Sequence, residues 1–372
     1  MNIVIIHFQP LELYPPIQNL LSVLNEQKHS KKIITITTSQ SAISNFGFGL
    51  SESNQIIRVD VHSKSRIIRL IKYIQFYFFT FFKLLQLKPL KVIYFESISA
   101  LPAILYKKMF QKTELFVHYH EYTTLNEYSN GMQIVKWNQN FEKKSFNKYH
   151  WISHTNKKRI ELFHKDYPNI QSEILHCLPN YPLASWSNKR FPFNDTKDES
   201  SERLKLVYIG ALSINDTYAK EIIDFVSVNN NRYELEIFSF QIEDQLNAYL
   251  MSKNCSNIKF SGFIEYMNIP DVLKSKDIGL ILYKGKTLNY VHNAPNKLFE
   301  YLTCGLDVWF PEEMVGCFEY ASDNLPKVLK VDFSNIVESI KSYSYSSVNR
   351  PNSNIRFSAE QAAELLIENL EL

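Results

Sequence analysis

Asn293, Asn296, Lys297 and Glu300 fall at helical spacing in the run Asn289-Tyr-Val-His-Asn-Ala-Pro-Asn-Lys-Leu-Phe-Glu300-Tyr-Leu-Thr-Cys-Gly305. Asn293 is a good N-cap type, Pro295 suits a first turn and Gly305 suits a C-cap. The run therefore predicts one helix with these four polar residues on one side and Leu298, Phe299, Tyr301 and Leu302 on the buried side. A helix N-terminus with free N–H groups and a lysine in its first turn is an anion site that needs no glycine loop. Glu300 is the right group to accept hydrogen bonds from a ribose diol. The bland alternative is a capped surface helix with a solvated polar face.

Other reactive types sit just after apolar runs that read as strands. His120-Glu121 follows Glu114–Tyr119, Gly210-Ala211-Leu212 follows Leu204–Ile209, Gly262-Phe263 follows Asn257–Phe260, and Tyr283-Lys284-Gly285-Lys286 follows Asp277–Leu282. In open α/β sheets ligands bind at these carboxyl ends. His118 and His120 are read on opposite faces of a strand, which predicts no metal site there. No Ser-His-Asp order and no paired-carboxylate spacing stands out.

The elements that would position these residues alternate along the chain. Ile3–His7, Lys32–Thr37, Lys91–Phe95, Glu114–Tyr119 and Tyr149–Ser153 read as strands. Pro16–Glu26, a segment from Ser97 to Met109, Ile134–Asn147 and Asn156–His164 read as helices. A polar stretch rich in Pro, Ser and Asn interrupts the pattern, which restarts at Leu204 and runs through Tyr233–Phe238, Asn257–Phe260, Asp277–Leu282 and Leu306–Phe310. The expected fold is α/β: two Rossmann-like, doubly wound domains facing a central cleft. The expected boundaries are 1–183 for the first domain, 184–203 for a linker, 204–345 for the second domain, and 346–372 for a tail helix able to cross back to the first.

Composition narrows the chemistry. The 372 residues include only 9 glycines, where average usage would give roughly 26. No G-x-G-x-x-G follows a strand, so the dinucleotide-binding fingerprint is absent, and a bound phosphate must be held by something other than a glycine cradle. The four cysteines, Cys177, Cys255, Cys304 and Cys317, form no CxxC pair, which fits a reducing, cytoplasmic setting and offers no zinc site. The N-terminus lacks a basic n-region and reads as a strand rather than a signal peptide. Residues 1–200 hold 25 Lys and Arg against 15 Asp and Glu, a balance of +10; residues 201–372 hold 16 against 23, a balance of −7. The basic half is expected to face something anionic. An RNA-binding motif is missing, so nucleic acid is not the expected partner.

The segment Ser65–Leu87 is strongly apolar, but its longest uncharged stretch, Tyr73–Phe82, is ten residues. A bilayer span needs about 20. The segment is either a buried helix of the first domain or an interfacial helix flanked by Arg66, Arg69, Lys72, Lys83 and Lys88.

The run from Asn293 to Asp307 resembles the nucleotide-sugar segment of GT-B glycosyltransferases of the family-4-like group. The strand followed by Gly210, Phe260-Ser-Gly-Phe263 and Asp277-Ile-Gly-Leu resemble the same family's second domain. The likeness is specific from about residue 204 to 310 and covers the rest of the chain in organisation only. It implies transfer of a sugar, with retention, from a UDP- or GDP-sugar and without a metal or other cofactor. The donor would sit mainly on the second domain and a surface-glycan or lipid-linked acceptor on the first. Carried over by residue, Glu300 corresponds to the ribose-binding glutamate that ends the family's Glu-x7-Glu motif, whose first position falls on His292. Asn293, Asn296 and Lys297 would lie near the diphosphate and sugar, with Lys284 a further cation beside Tyr283. Phe263 would line the base pocket and Gly210 would approach the phosphates. His120 resembles the histidine that faces the donor sugar, and Glu121 is a candidate for acceptor contact. Together with the basic first domain this implies peripheral contact with an anionic membrane. The competing expectations are a non-catalytic GT-B-like subunit that binds nucleotide or glycan for a partner transferase and, less favoured, a GT-B-fold epimerase.

Overall fold

A computed structural model of the chain describes residues 2–27, 31–39, 54–189, 203–240, 242–346 and 357–372. Most of the expected linker, 190–202, lies outside the described residues. The chain divides into two compact units: Met1–Asn180 with Ala359–Leu372, and Tyr181–Ser358.

The first unit is built on seven strands: β1 (Asn2–His7), β2 (Lys32–Ser39), β3 (Asn54–Asp60), β4 (Lys91–Phe95), β5 (Glu114–Tyr119), β6 (Trp151–His154) and β7 (Leu175–Cys177). All neighbours pair in parallel in the order β3-β2-β1-β4-β5-β6-β7. Six helices connect them: α1 (Pro15–Glu26), α2 (Arg66–Leu87), α3 (Ala100–Met109), α4 (Leu125–Asn130), α5 (Gln133–Glu142) and α6 (Lys157–Asp166). A parallel sheet covered on both faces needs near-continuous apolar strands. β1 (Asn-Ile-Val-Ile-Ile-His) and β4 (Lys-Val-Ile-Tyr-Phe) meet that demand and are buried along almost their whole length. The order reverses between β1 and β4, so the carboxyl ends of these two strands and of β5 flank the switch point where such sheets bind ligands.

The second unit repeats the plan with β8 (Leu204–Ile209), β9 (Tyr233–Phe238), β10 (Ile258–Gly262), β11 (Ile278–Leu280), β12 (Asp307–Pro311) and β13 (Val328–Val331), again all parallel, in the order β10-β9-β8-β11-β12-β13. Its helices are α7 (Ala219–Val228), α8 (Asp244–Lys253), α9 (Ile269–Leu273), α10 (Leu288–Val291), α11 (Asn296–Thr303) and α12 (Ile336–Ser339). The switch point lies between β8 and β11. Gly279, in the middle of β11, lets α11 pack against the sheet: a Cβ there would sit 2.2 Å from the Tyr301 ring.

The last helix, α13 (Ala359–Leu370), belongs to the first unit. Its apolar stripe Ala359, Ala363, Leu366 and Leu370 is buried and α1 lies beside it. Lys91 Nζ donates to Asn369 O at 2.6 Å and Lys31 Nζ to Leu370 O at 2.9 Å. Two cations thereby satisfy carbonyls at the negative end of the helix.

Candidate active site

In the first unit the site centres on the turn after β5. The sequence predicts His118 and His120 on opposite faces, but their rings meet edge-on with centroids 4.8 Å apart. That expectation is corrected, because residues two apart along a strand share a face, and His120 directly follows Tyr119, the last residue of β5. The His120 N–H donates to Glu96 Oε1 at 2.7 Å, and its carbonyl accepts from Arg159 Nη1 at 2.7 Å. The imidazole stacks on Phe95 at 5.2 Å and lies near Tyr14 and His7 at 5.9 and 6.2 Å. It is nearly buried, and neither ring nitrogen makes a hydrogen bond of ordinary geometry among the described residues. Burial, then His118 and His7, hold the His120 pKa well below the usual imidazole range, with the Asn180 side chain opposing in part. Burial likewise pulls His7 down to about 4 and His118 to about 3. These rings are neutral at pH 7 and offer a hydrogen bond without a charge.

Glu96 was not among the residues expected from sequence, although it follows β4 as His120 follows β5. The same strand-end rule points to it. It holds the backbone at φ 61°, ψ 151°, a region nearly exclusive to glycine that costs of order 1–3 kcal/mol in other residues. Its Oε1 also accepts from Glu121 N at 3.3 Å. Burial and the Glu121 charge push the Glu96 carboxyl up to about 8, against the lowering effect of those two N–H groups. Glu121 itself is exposed. Behind this layer Glu142 of α5 is fully buried and accepts from the Tyr94, Tyr119 and Ser97 hydroxyls at 2.5, 2.6 and 2.5 Å. Those bonds lock α5 to the ends of β4 and β5. Ser97 is thus spent on Glu142 and does not cap the following helix.

In the second unit the expected helix forms but begins later. The sequence places its N-cap at Asn293, whereas the helix runs Asn296–Thr303 with Pro295 at the cap. Two local effects decide this. Leu288–Val291 forms its own turn, capped by the Thr287 side chain and closed by Asn293 N donating to Tyr290 O at 3.2 Å. Ala294, preceding a proline, is biased away from helical backbone. No side chain caps the N-terminus of α11; Leu298 N donates to Pro295 O at 2.9 Å, and the Asn296 and Lys297 N–H groups ahead of it keep their capacity for an anion. Lys297 Nζ lies 2.6 Å from Glu300 Oε2 and 5.9 Å from the Tyr266 ring centroid. The Glu300 side chain is 1% exposed, and its Oε1 is buried without a hydrogen-bond partner. The alternative of a solvated polar face does not hold for Glu300: α11 is packed against the sheet by Tyr301 over Gly279, and Glu300 is carried inward beside it.

The remaining candidates divide. Gly210 ends β8 and its N–H donates to Phe238 O at 3.0 Å. Tyr283 stacks on Tyr290 at 5.2 Å, joining the end of β11 to the turn before α11. His292 and Asn293 run against Gly316, where a Cβ would meet His292 C at 2.5 Å and Asn293 O at 2.6 Å; a glycine is required to hold that loop. Lys284 is built into the fold, donating to Ile214 O at 3.1 Å and pairing with Glu221 at 3.2 Å. Phe263 is exposed, edge-on to exposed Phe240 at 5.7 Å. Among the described residues no group of three metal-ligating side chains occurs.

No protein-family model matches the sequence, and no curated protein matches it. Solved structures do match along the whole chain. A lipopolysaccharide outer core galactosyltransferase, WaaB in its apo form, superposes with a TM-score of 0.66 at 13% identity, covering 100% of both chains. Anabaena HepE in complex with UDP and glucose gives 0.67 at 10% identity, covering 99% of each. A UDP-GlcNAc 2-epimerase from Neisseria meningitidis bound to UDP-GlcNAc gives 0.62 at 12% identity, covering 100% of both. With its two parallel α/β sheets and this likeness, the chain has the GT-B fold.

Proposed function

We propose that this protein is a glycosyltransferase that moves a sugar from a UDP- or GDP-sugar to a surface-glycan or lipid-linked acceptor, with retention, in the cytoplasm. The observation that carries the reading is the uncapped N-terminus of α11 with Lys297 and the unsatisfied Glu300 Oε1, set beside the β8–β11 switch point. The N–H groups and Lys297 meet diphosphate charge, and Glu300 Oε1 accepts from a ribose hydroxyl. As the diphosphate leaves, the fixed dipoles and Lys297 stabilise the added charge without a metal. The neutral His120, its backbone held at both ends, is a hydrogen-bonding group suited to a sugar hydroxyl. The presence of UDP and glucose in the HepE complex supports a donor of this class.

Calorimetric titration with UDP and GDP, followed by assay of UDP- and GDP-sugar hydrolysis, tests the proposal. Binding of one nucleotide, lost in Glu300→Ala, and slow sugar release are expected; no binding of either nucleotide would overturn it. A second reading, a non-catalytic subunit that binds nucleotide or glycan, is favoured by the commitment of Lys284 to Glu221, which leaves fewer cations for a leaving diphosphate. Nucleotide binding without any hydrolysis or transfer selects that reading.

A further inference from the structure

The first unit carries an apolar groove of about 540 Å³ between α2, α3 and α5. Its walls include Ile74, Phe78 and Phe81 of α2, Leu105 of α3, and Trp137 and Phe141 of α5. Native surfaces seldom leave such side chains open: Phe78 is 60% and Trp137 61% exposed. The apolar surface continues along α2 beyond the groove, through exposed Ile67, Ile71 and Phe82. A contiguous patch of this kind marks an interaction site.

Charge identifies the occupant. The three helices that wall the groove carry Arg66, Arg69, Lys83, Lys108 and Lys136, besides Lys72, which pairs with Asp60 at 2.6 Å, and Lys107, which donates to the Gln111 and Thr113 carbonyls. Their only acidic residue is Glu142, which is fully buried and bonded to three hydroxyls. At the groove Lys108 Nζ lies 5.6 Å from the Phe141 ring centroid, a cation placed on the apolar wall itself. A water-soluble peptide partner would need acidic side chains for these cations and apolar ones for the groove. A bilayer with anionic headgroups supplies both at once, hydrocarbon below and negative charge above. Among the described residues no helix is long and apolar enough to cross a membrane, so the contact is one of lying on the surface.

We propose that the α2–α3–α5 face docks on an anionic phospholipid bilayer, with the groove receiving a lipid acyl chain and the surrounding cations engaging headgroup phosphates. This goes beyond sugar transfer and does not depend on it. Lysines and arginines near such a surface act additively, whereas the groove gives the contact depth.

The full chain is mixed with vesicles of phosphatidylcholine, or of roughly three parts phosphatidylcholine to one part phosphatidylglycerol, and bound protein is measured by sedimentation. Binding to the anionic vesicles only is expected. Phe78→Glu should weaken it by about tenfold or more, since an apolar contact is lost and a charge is placed at the hydrocarbon. Lipids brominated on the acyl chain should quench Trp137 fluorescence, because the other tryptophans, Trp151, Trp186 and Trp309, are buried; Trp137→Phe should abolish the quenching. Both substitutions are at exposed positions; an unchanged circular dichroism spectrum and urea midpoint in each variant verify folding, and nucleotide binding, measured separately, keeps this test apart from that of the transferase. No binding to anionic vesicles, binding unaffected by Phe78→Glu, or binding without quenching would overturn the proposal.

Discussion

Glu300→Gln separates a ligand-binding carboxylate from a structural one. In the wild-type chain Oε2 is taken by Lys297 at 2.6 Å while Oε1 is buried with no partner. A hydrogen bond to a charged group contributes about 1.5–3 kcal/mol and a neutral one about 0.5–1.5. If Oε1 receives a ribose hydroxyl, replacing the carboxylate by an amide of the same shape weakens nucleotide binding by about 1–2 kcal/mol, or five- to thirtyfold in Kd. The same change acts on the empty protein in two opposing ways. It removes the attraction to Lys297, which at 19% side-chain exposure can turn its ammonium to water. It also relieves the desolvated, half-satisfied carboxylate. The two leave a net loss of stability of about 1 kcal/mol, well below the 3–5 kcal/mol for breaking a fully buried pair. Calorimetric titration with UDP or GDP gives the affinity, and urea unfolding without nucleotide gives the stability. An affinity within twofold of wild type, combined with a stability loss of 3 kcal/mol or more, would refute the assignment and make Glu300 a purely structural partner of Lys297.

Other outcomes follow from the same geometry. Gly279→Ala places a Cβ 2.2 Å from the Tyr301 ring, so α11 must shift; a loss of about 1–3 kcal/mol with weakened nucleotide binding is expected, and an unchanged urea midpoint counts against the close packing of α11. His120→Ala should lower sugar-transfer turnover by about a hundredfold or more while nucleotide affinity, proposed to reside in the second unit, is kept. Folding stability should peak in pH near 6.5. Below that, unfolded histidines bind protons that buried His7, His118 and His154, with pKa values of about 4, 3 and 3, do not, so stability rises with pH up to about 6.5. Glu96, with its folded pKa raised to about 8, keeps a proton the unfolded chain has released, so stability falls from about 4.5 to 8, by up to about 1.4 kcal/mol per pH unit. Urea unfolding of Glu96→Gln between roughly pH 6.5 and 8 should show that slope diminished; an unaltered slope would remove Glu96 as its source.

Much of this was legible because parallel sheets write themselves as repeated apolar runs. The strands from β1 to β12 that matter for the site, the restart at Leu204, and the helix carrying Lys297 and Glu300 all show in the pattern of residue types. What the sequence hid was set by contacts remote along the chain. The start of α11 depends on a separate turn at Leu288–Val291, and one favourable cap residue, Asn293, outweighed it in the sequence reading. The burial of Glu300 follows from Tyr301 sitting over Gly279, twenty-two residues earlier. The meeting of His118 and His120 was legible, since residues two apart on a strand share a face; the hold of Glu96 and Arg159 on the His120 backbone was not, because neither neighbours it in sequence. The exposure of α2 was undecided because an apolar helix reads alike whether it faces a core or open surface.

The position of α13 has a consequence for how the chain is made. The unit that begins at Met1 is completed only by Ala359–Leu372, after the whole of the second unit has been synthesised. At translation rates of about 5–20 residues per second, α1 waits roughly 17–67 s for the helix that covers it. The second unit, continuous in sequence from Tyr181 to Ser358, has every residue it needs first. The half that is first in sequence is therefore last to finish folding, and a stop codon placed before Ala359 would injure the N-terminal sheet while sparing that of the second unit.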